Sequence, residues 1–150
     1  MKTITNTFRV SINAKPEAVF AYVSDLTRHG EWNSGLRIEA MTPGPVSVGS
    51  QYRSVGTVLN RDRPNELRVT GYQPPTRFAF VARDPNFKDI THEFIVSPQD
   101  GGTLLERTVT AHMPPHIEFV WRLVIWPLID RPGMNKSMAA LKAQLERPIT

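Results

Sequence analysis

Between residues 35 and 112 the chain divides into six runs of strand length, roughly 35–41, 49–59, 65–73, 76–83, 88–97 and 103–112, each bounded by Gly, Pro, Asn or Asp. A seventh run precedes them. Over residues 4–12, Ile4, Asn6, Phe8, Val10 and Ile12 share one face, while Thr5, Thr7, Arg9 and Ser11 share the other. Period two over that length makes a half-buried strand. The thirteen prolines fit such a chain, because Pro43, Pro64, Pro74, Pro98 and Pro114 fall between runs, where no ladder hydrogen bond is lost.

Helical spacing occurs in only two places. After strand 1, Pro16 suits a first helical turn, Glu17 its positive end, and Val19, Phe20 and Val23 make an apolar stripe. Ser24 and Asp25 then cap a second short helix reaching about Glu31. The other helical stretch runs from about Ile117 to Leu145, with Met134, Met138, Leu141 and Leu145 on one side. Pro127 and Pro132-Gly133 interrupt it, so a kink above about 20° or a break is expected between Ile125 and Gly133.

Composition narrows the function classes. At 150 residues with no repeat or linker, the chain reads as one domain over 1–150, long enough to bury a core unaided. With no cysteine, disulfides, thiolate zinc sites and a cysteine nucleophile are excluded. The net charge of +4 comes from scattered Lys and Arg rather than a basic stripe with interleaved aromatics, which argues against nucleic acid. Met1 to Asn6 lack the apolar stretch of a signal peptide, so a cytoplasmic location is expected.

The segment Val10-Ser11-Ile12-Asn13-Ala14-Lys15-Pro16-Glu17-Ala18-Val19-Phe20, with Asp25 and Trp32 beyond it, resembles the opening of the START/Bet v1-like (SRPBCC) superfamily. It is most similar to the polyketide cyclase/dehydrase and lipid-transport branch. Gly49 to Arg53, Pro74 to Phe78, and Phe94 to Pro98 followed by Gly101-Gly102-Thr103 are similar to that branch too. The resemblance implies an α+β helix-grip fold: a curved seven-stranded antiparallel sheet around a long C-terminal helix, with two short helices after strand 1. It also implies an apolar cavity for a lipid, quinone or polyketide, and no universal catalytic residue. Fold alone does not fix function.

Few residues bring chemistry to such a cavity. His112 and His116 have helical ligand spacing, but Met113-Pro114-Pro115 between them forbids a shared helix, so no metal site is expected. No phosphate loop, nucleophile elbow or dinucleotide fingerprint is present, and no cofactor is expected. Sorting the strands by parity turns Leu67, Val69, Phe78, Phe80, Ala82, Phe94 and Val96 inward, and with them Leu105 and Arg107. Setting Val96 opposite Thr103 puts Phe94 opposite Leu105 and His92 opposite Arg107, with side chains about 5 Å apart. The guanidinium would hold His92 neutral, and the pair would anchor a carboxylate, phenolate or enolate, or act as a base. The plainer alternative has Arg107 reaching the rim or pairing with Glu118 or Asp130. Tyr52, Phe78, Phe80, His92, Phe94, Arg107 and Trp121 are the expected ligand-binding residues.

Residues 117–129 are apolar nearly all round, more than one buried face requires, yet too short to span a bilayer. Cavity wall on one side and neighbouring loops on the other is the plain reading. Trp121 and Trp126 at the surface would instead mark a homodimer contact, a ligand portal or a membrane-surface dock. The function expected is binding, transport or sequestration of a small hydrophobic molecule. The alternatives are a polyketide aromatase/cyclase or dehydratase using His92 and Arg107, and a protein-interaction module with a filled cavity.

Overall fold

The computed structural model describes residues 1–58, 61–83 and 89–147. Strand β1 (Lys2–Ile12) leads into helix α1 (Pro16–Val23) and a 3₁₀ turn (Leu26–Glu31). Strands β2 (Leu36–Ala40), β3 (Gln51–Val58), β4 (Arg61–Gln73), β5 (Arg77–Arg83), β6 (Ile90–Gln99) and β7 (Gly102–Met113) follow. The chain ends in α2 (Pro115–Val120), a π-helical segment (Trp121–Asp130) and α3 (Arg131–Leu145). The strand limits expected at residues 59 and 88 lie outside the described residues. All seven strands form one antiparallel sheet in the order β1-β7-β6-β5-β4-β3-β2, the helix-grip arrangement expected.

Alternation decides which face is buried. Ile12, Ile38, Tyr52, Leu67, Val69, Phe78, Phe80, Phe94, Val96 and Leu105 come together on the inner face. Helix α3 lays Met138 and Leu141 on that face, and α1 adds Val19, Phe20 and Val23. The 3₁₀ turn starts at Asp25, whose Oδ1 accepts the Thr27 N–H at 3.1 Å. Capping at this point is what the sequence predicts.

Two expectations are corrected. The β6–β7 register lies two residues from the expected one: Val96 faces Leu105, Phe94 faces Arg107 and His92 faces Val109. Its cause is the turn. Asp100 and Gly101 both have positive φ (46° and 80°), and Gln99 pairs directly with Gly102 around them. An Asp-Gly pair closes a two-residue hairpin of this kind, which leaves no freedom of register. A shift of two preserves parity, so Arg107 still points inward.

The second concerns Pro127, where a kink or a break is expected and the break does not occur. The chain stays helical from Pro115 to Leu145, and hydrogen bonding changes instead, with Arg131 N–H reaching back five residues to the Trp126 carbonyl. A wider turn accommodates the proline ring without ending the helix.

Candidate functional site

Arg107 is brought inward by β7 parity and is only 6% exposed. Its guanidinium carbon lies 5.3 Å from the Trp32 ring centre and 5.4 Å from that of Phe94, two rings set at right angles to each other on one side of the cation. Its Nη2 donates to His92 Nδ1 at 3.4 Å, the long end of a hydrogen bond. Nε and Nη1 are buried without a partner, as is the Trp32 indole N–H beside them. Burial lowers the guanidinium to about 10, still charged at neutral pH.

The two carboxylates that would have neutralised it are engaged elsewhere. Glu118 lies 3.5 Å from Lys2 and 3.2 Å from Arg122. Asp130 Oδ2 accepts the Trp121 N–H at 2.7 Å. An unpaired charge in a buried site is costly.

Two histidines adjoin this cation. His92 faces Phe80 across the β5–β6 ladder and stacks on it, with ring centres 4.7 Å apart and planes at 6°. Burial first, then Arg107 and His29, hold it well below the ordinary histidine range. Because guanidinium can only donate, His92 Nδ1 accepts and the ring's proton sits on Nε2. His29, on the 3₁₀ turn, had no role in the sequence-based expectations. It is 2% exposed, packs between Trp32, Phe80 and Phe94, and donates from Nε2 to the Val23 carbonyl at 2.7 Å. Desolvation, reinforced by Arg107, lowers it to about 4 although the Val23 bond opposes this. Both rings are therefore neutral at physiological pH.

One cavity borders this cluster, and a second lies farther along the same helical stretch. The first, of about 520 Å³, opens between the 3₁₀ turn and α3 and is lined by Trp32, Asn33, Arg107, Gly133, Met134 and Ser137, among others. The other, of about 420 Å³, lies under the π-helical segment, with Ile4, Phe8, Val109, Trp121, Ile125 and Trp126 among its walls. Asp130 and Met134 border both.

Of the residues expected to bind ligand, Phe80, His92, Phe94 and Arg107 are brought together, and Phe78 packs beside Phe80 and Phe94. Trp121 is not with them. It lines the second cavity against Trp126, with ring centres 5.2 Å apart. Tyr52, 5% exposed, lies along β3 and β4 by a recess that includes Leu67 and Arg83. Phe80 and Phe94 are core rather than cavity wall, because His29 and Trp32 pack against them, and Phe78 is fully buried beside both.

His112 ends on β7, its Nδ1 3.0 Å from Thr3 Oγ1, and His116 is exposed on α2. Among the described residues no three His, Asp or Glu side chains converge as a metal site would need.

The family model described as polyketide cyclase / dehydrase and lipid transport matches residues 3–146. No curated protein matches the chain by sequence. Among solved structures, the Zhui aromatase/cyclase from Streptomyces sp. R1128 superposes with a TM-score of 0.76 at 14% identity, over 97% of this chain and 95% of that one. TTHA0849 from Thermus thermophilus gives 0.75 at 14% identity, over 95% and 97%. Protein CV1439 from Chromobacterium violaceum gives 0.71 at 17% identity, over 96% and 99%. At these identities the likeness is one of fold, whereas the sequence model covers nearly the whole chain. The chain belongs to the polyketide cyclase/dehydrase and lipid-transport family.

Proposed function

We propose that this protein binds a small hydrophobic molecule bearing an acidic oxygen (a carboxylate, phenolate or enolate) between the sheet and α3, with Arg107 as its anchor. The observation that carries this reading is the buried guanidinium with Nε and Nη1 unpartnered. Apolar walls supply most of the affinity in such a pocket, and a few polar groups fix orientation. Arg107, the Trp32 N–H and the polar edge at Asn33 and Ser137 give the acid end its place. The Phe8, Trp121 and Trp126 side, which shares Asp130 and Met134 with the acid end, suits an apolar body. Two cavities of this size argue against a purely structural module with a filled interior.

A second reading, cyclisation or dehydration of a polyketide-like carbonyl compound, draws on the Arg107–His92 contact and on the aromatase/cyclase among the structural neighbours. It requires His92 to take a proton. The Nδ1 lone pair already faces Arg107, and burial and the two neighbouring groups oppose protonation. Polarising an anionic oxygen suits these residues better than removing a proton.

Calorimetric titration with an aryl carboxylic acid and its methyl ester tests the proposal. The acid should bind the native protein more tightly, and Arg107→Met should weaken the acid about 10–150-fold while sparing the ester, the loss of one charge-assisted hydrogen bond. Equal weakening of both would reduce Arg107 to a shape-filling role and defeat the reading.

A further inference from the structure

The helical stretch after β7 carries apolar residues on two opposite sides. Facing the sheet, Ile117, Trp121, Ile125 and Trp126 line the cavity. Facing away are Phe119 (55% exposed), Val120, Leu123, Val124, Leu128 (72% exposed) and Ile129, the last also at the rim of the cavity beside Arg107. The outward residues form two rows, Phe119–Leu123–Leu128 and Val120–Val124–Ile129. Each steps by four and then by five, and the step of five falls inside the π-helical segment. The wider turn therefore keeps both rows in line past Pro127, where a continuing α-helix would have rotated them apart. Isolated exposed leucines are ordinary, but six large apolar side chains in register form a patch of the kind that marks a contact surface.

The charge around this patch has one sign. Arg122 and Arg131 are exposed, and each sits between an inward and an outward residue, which puts them on one flank of the rows. His116 and Lys136 are exposed nearby. The segment's acids are withdrawn: Glu118 is 7% exposed beneath Lys2 and Arg122, and Asp130 is partly buried and bonded to Trp121. A second copy of this chain docking by the same face would bring cation against cation with no exposed carboxylate in the patch to offset them. No helix among the described residues is long and apolar enough to cross a membrane.

From these observations we infer that residues 117–131 dock onto an anionic lipid surface, with the outward rows at the acyl boundary and Arg122 and Arg131 at the headgroups. A helix with an apolar face and a cationic flank binds such surfaces in the interfacial plane. The same helix walls the cavity, so a docked molecule holds that wall against the bilayer. The inference is independent of what Arg107 binds.

Flotation with vesicles tests it, comparing pure phosphatidylcholine with phosphatidylcholine containing about one-third phosphatidylglycerol, in low and high salt. The protein should float with the anionic vesicles in low salt and be released by high salt. Arg122→Gln and Arg131→Gln should each weaken association about fivefold, the factor for one cation near the surface. Leu128→Glu should weaken it about tenfold or more, with a thermal melt unchanged from the native protein. Absence of binding to anionic vesicles in low salt would overturn the inference. So would a dimer at micromolar concentration that Leu128→Glu dissociates, since a second copy would then own the face.

Discussion

The two ends of the inner sheet face are built from the same alternating strands, yet they differ in kind. Around His29 and Trp32, Phe78, Phe94 and Leu105 are completely buried, and even the polar side chains are packed and desolvated. Toward the other end, Ile4 and Ala111 are only partly buried, and the π-helical segment above them has no buried residue. The closed end makes its own core by using two histidines and a tryptophan as fillers. The open end leaves its apolar surface for something else to cover. Arg107 sits where the two regimes meet, which is why a cation can be both buried and unpaired there.

The contrast breaks if mutations at the two ends cost the same. Phe94→Ala at the closed end should lose about 3–5 kcal/mol in urea unfolding, the cost of a large cavity in a packed core. Ile125→Ala at the open end should lose less than about 1.5 kcal/mol, because its wall already borders empty space. Comparable losses would mean that the open end is as well packed as the closed one.

Protonation gives a finer probe of the closed end. His29 titrates near 4 when folded and at its ordinary 6.5 when unfolded. The unfolded chain therefore takes up the proton first as pH falls, and stability present above the unfolded value drains away toward the folded one. Between pH 7 and pH 4 this single group should remove about 3 kcal/mol. His29→Gln, which keeps a donor for the Val23 carbonyl, should show a correspondingly shallower fall in denaturant midpoint. Parallel pH profiles for the two proteins would place the acid sensitivity elsewhere.

The smallest effect belongs to the boundary. Arg107→Met exchanges an unpaired buried charge for an apolar chain of similar length, so the unliganded protein should gain about 1–2 kcal/mol. A loss of that size would mean the Trp32 and Phe94 rings and the His92 contact stabilise the cation more than burial penalises it.

The elements were legible in the sequence because the strands keep strict alternation, and parity alone was enough to send Arg107 inward. Register was legible too, though not from parity. The Asp100-Gly101 pair specifies a two-residue turn, and reading it would have set Phe94, rather than His92, opposite Arg107. His29 left no periodic signal, since a 3₁₀ turn of six residues shows no stripe, and its burial depends on strands distant in sequence. Trp121 stands apart from the phenylalanines because the helical stretch lays it over the Ile4, Phe8 and Val109 part of the sheet, which strand parity does not disclose. A proline inside a helical pattern reads as an end, whereas tertiary packing here keeps the helix and changes its pitch.

That change of pitch has a consequence for which changes of length this helical stretch tolerates. A wider turn takes in one extra residue and leaves the faces before and after it in line. Removing one residue between Leu123 and Leu128 would turn each step of five into a step of four, which α-helical pitch already aligns, so Met138 and Leu141 would keep their place in the core at the cost of the strain Pro127 brings to an α-turn. Inserting one residue would instead swing everything after it by about 100° and carry Met138 and Leu141 out of the core. An insertion in this stretch should therefore be far more damaging to stability than a deletion.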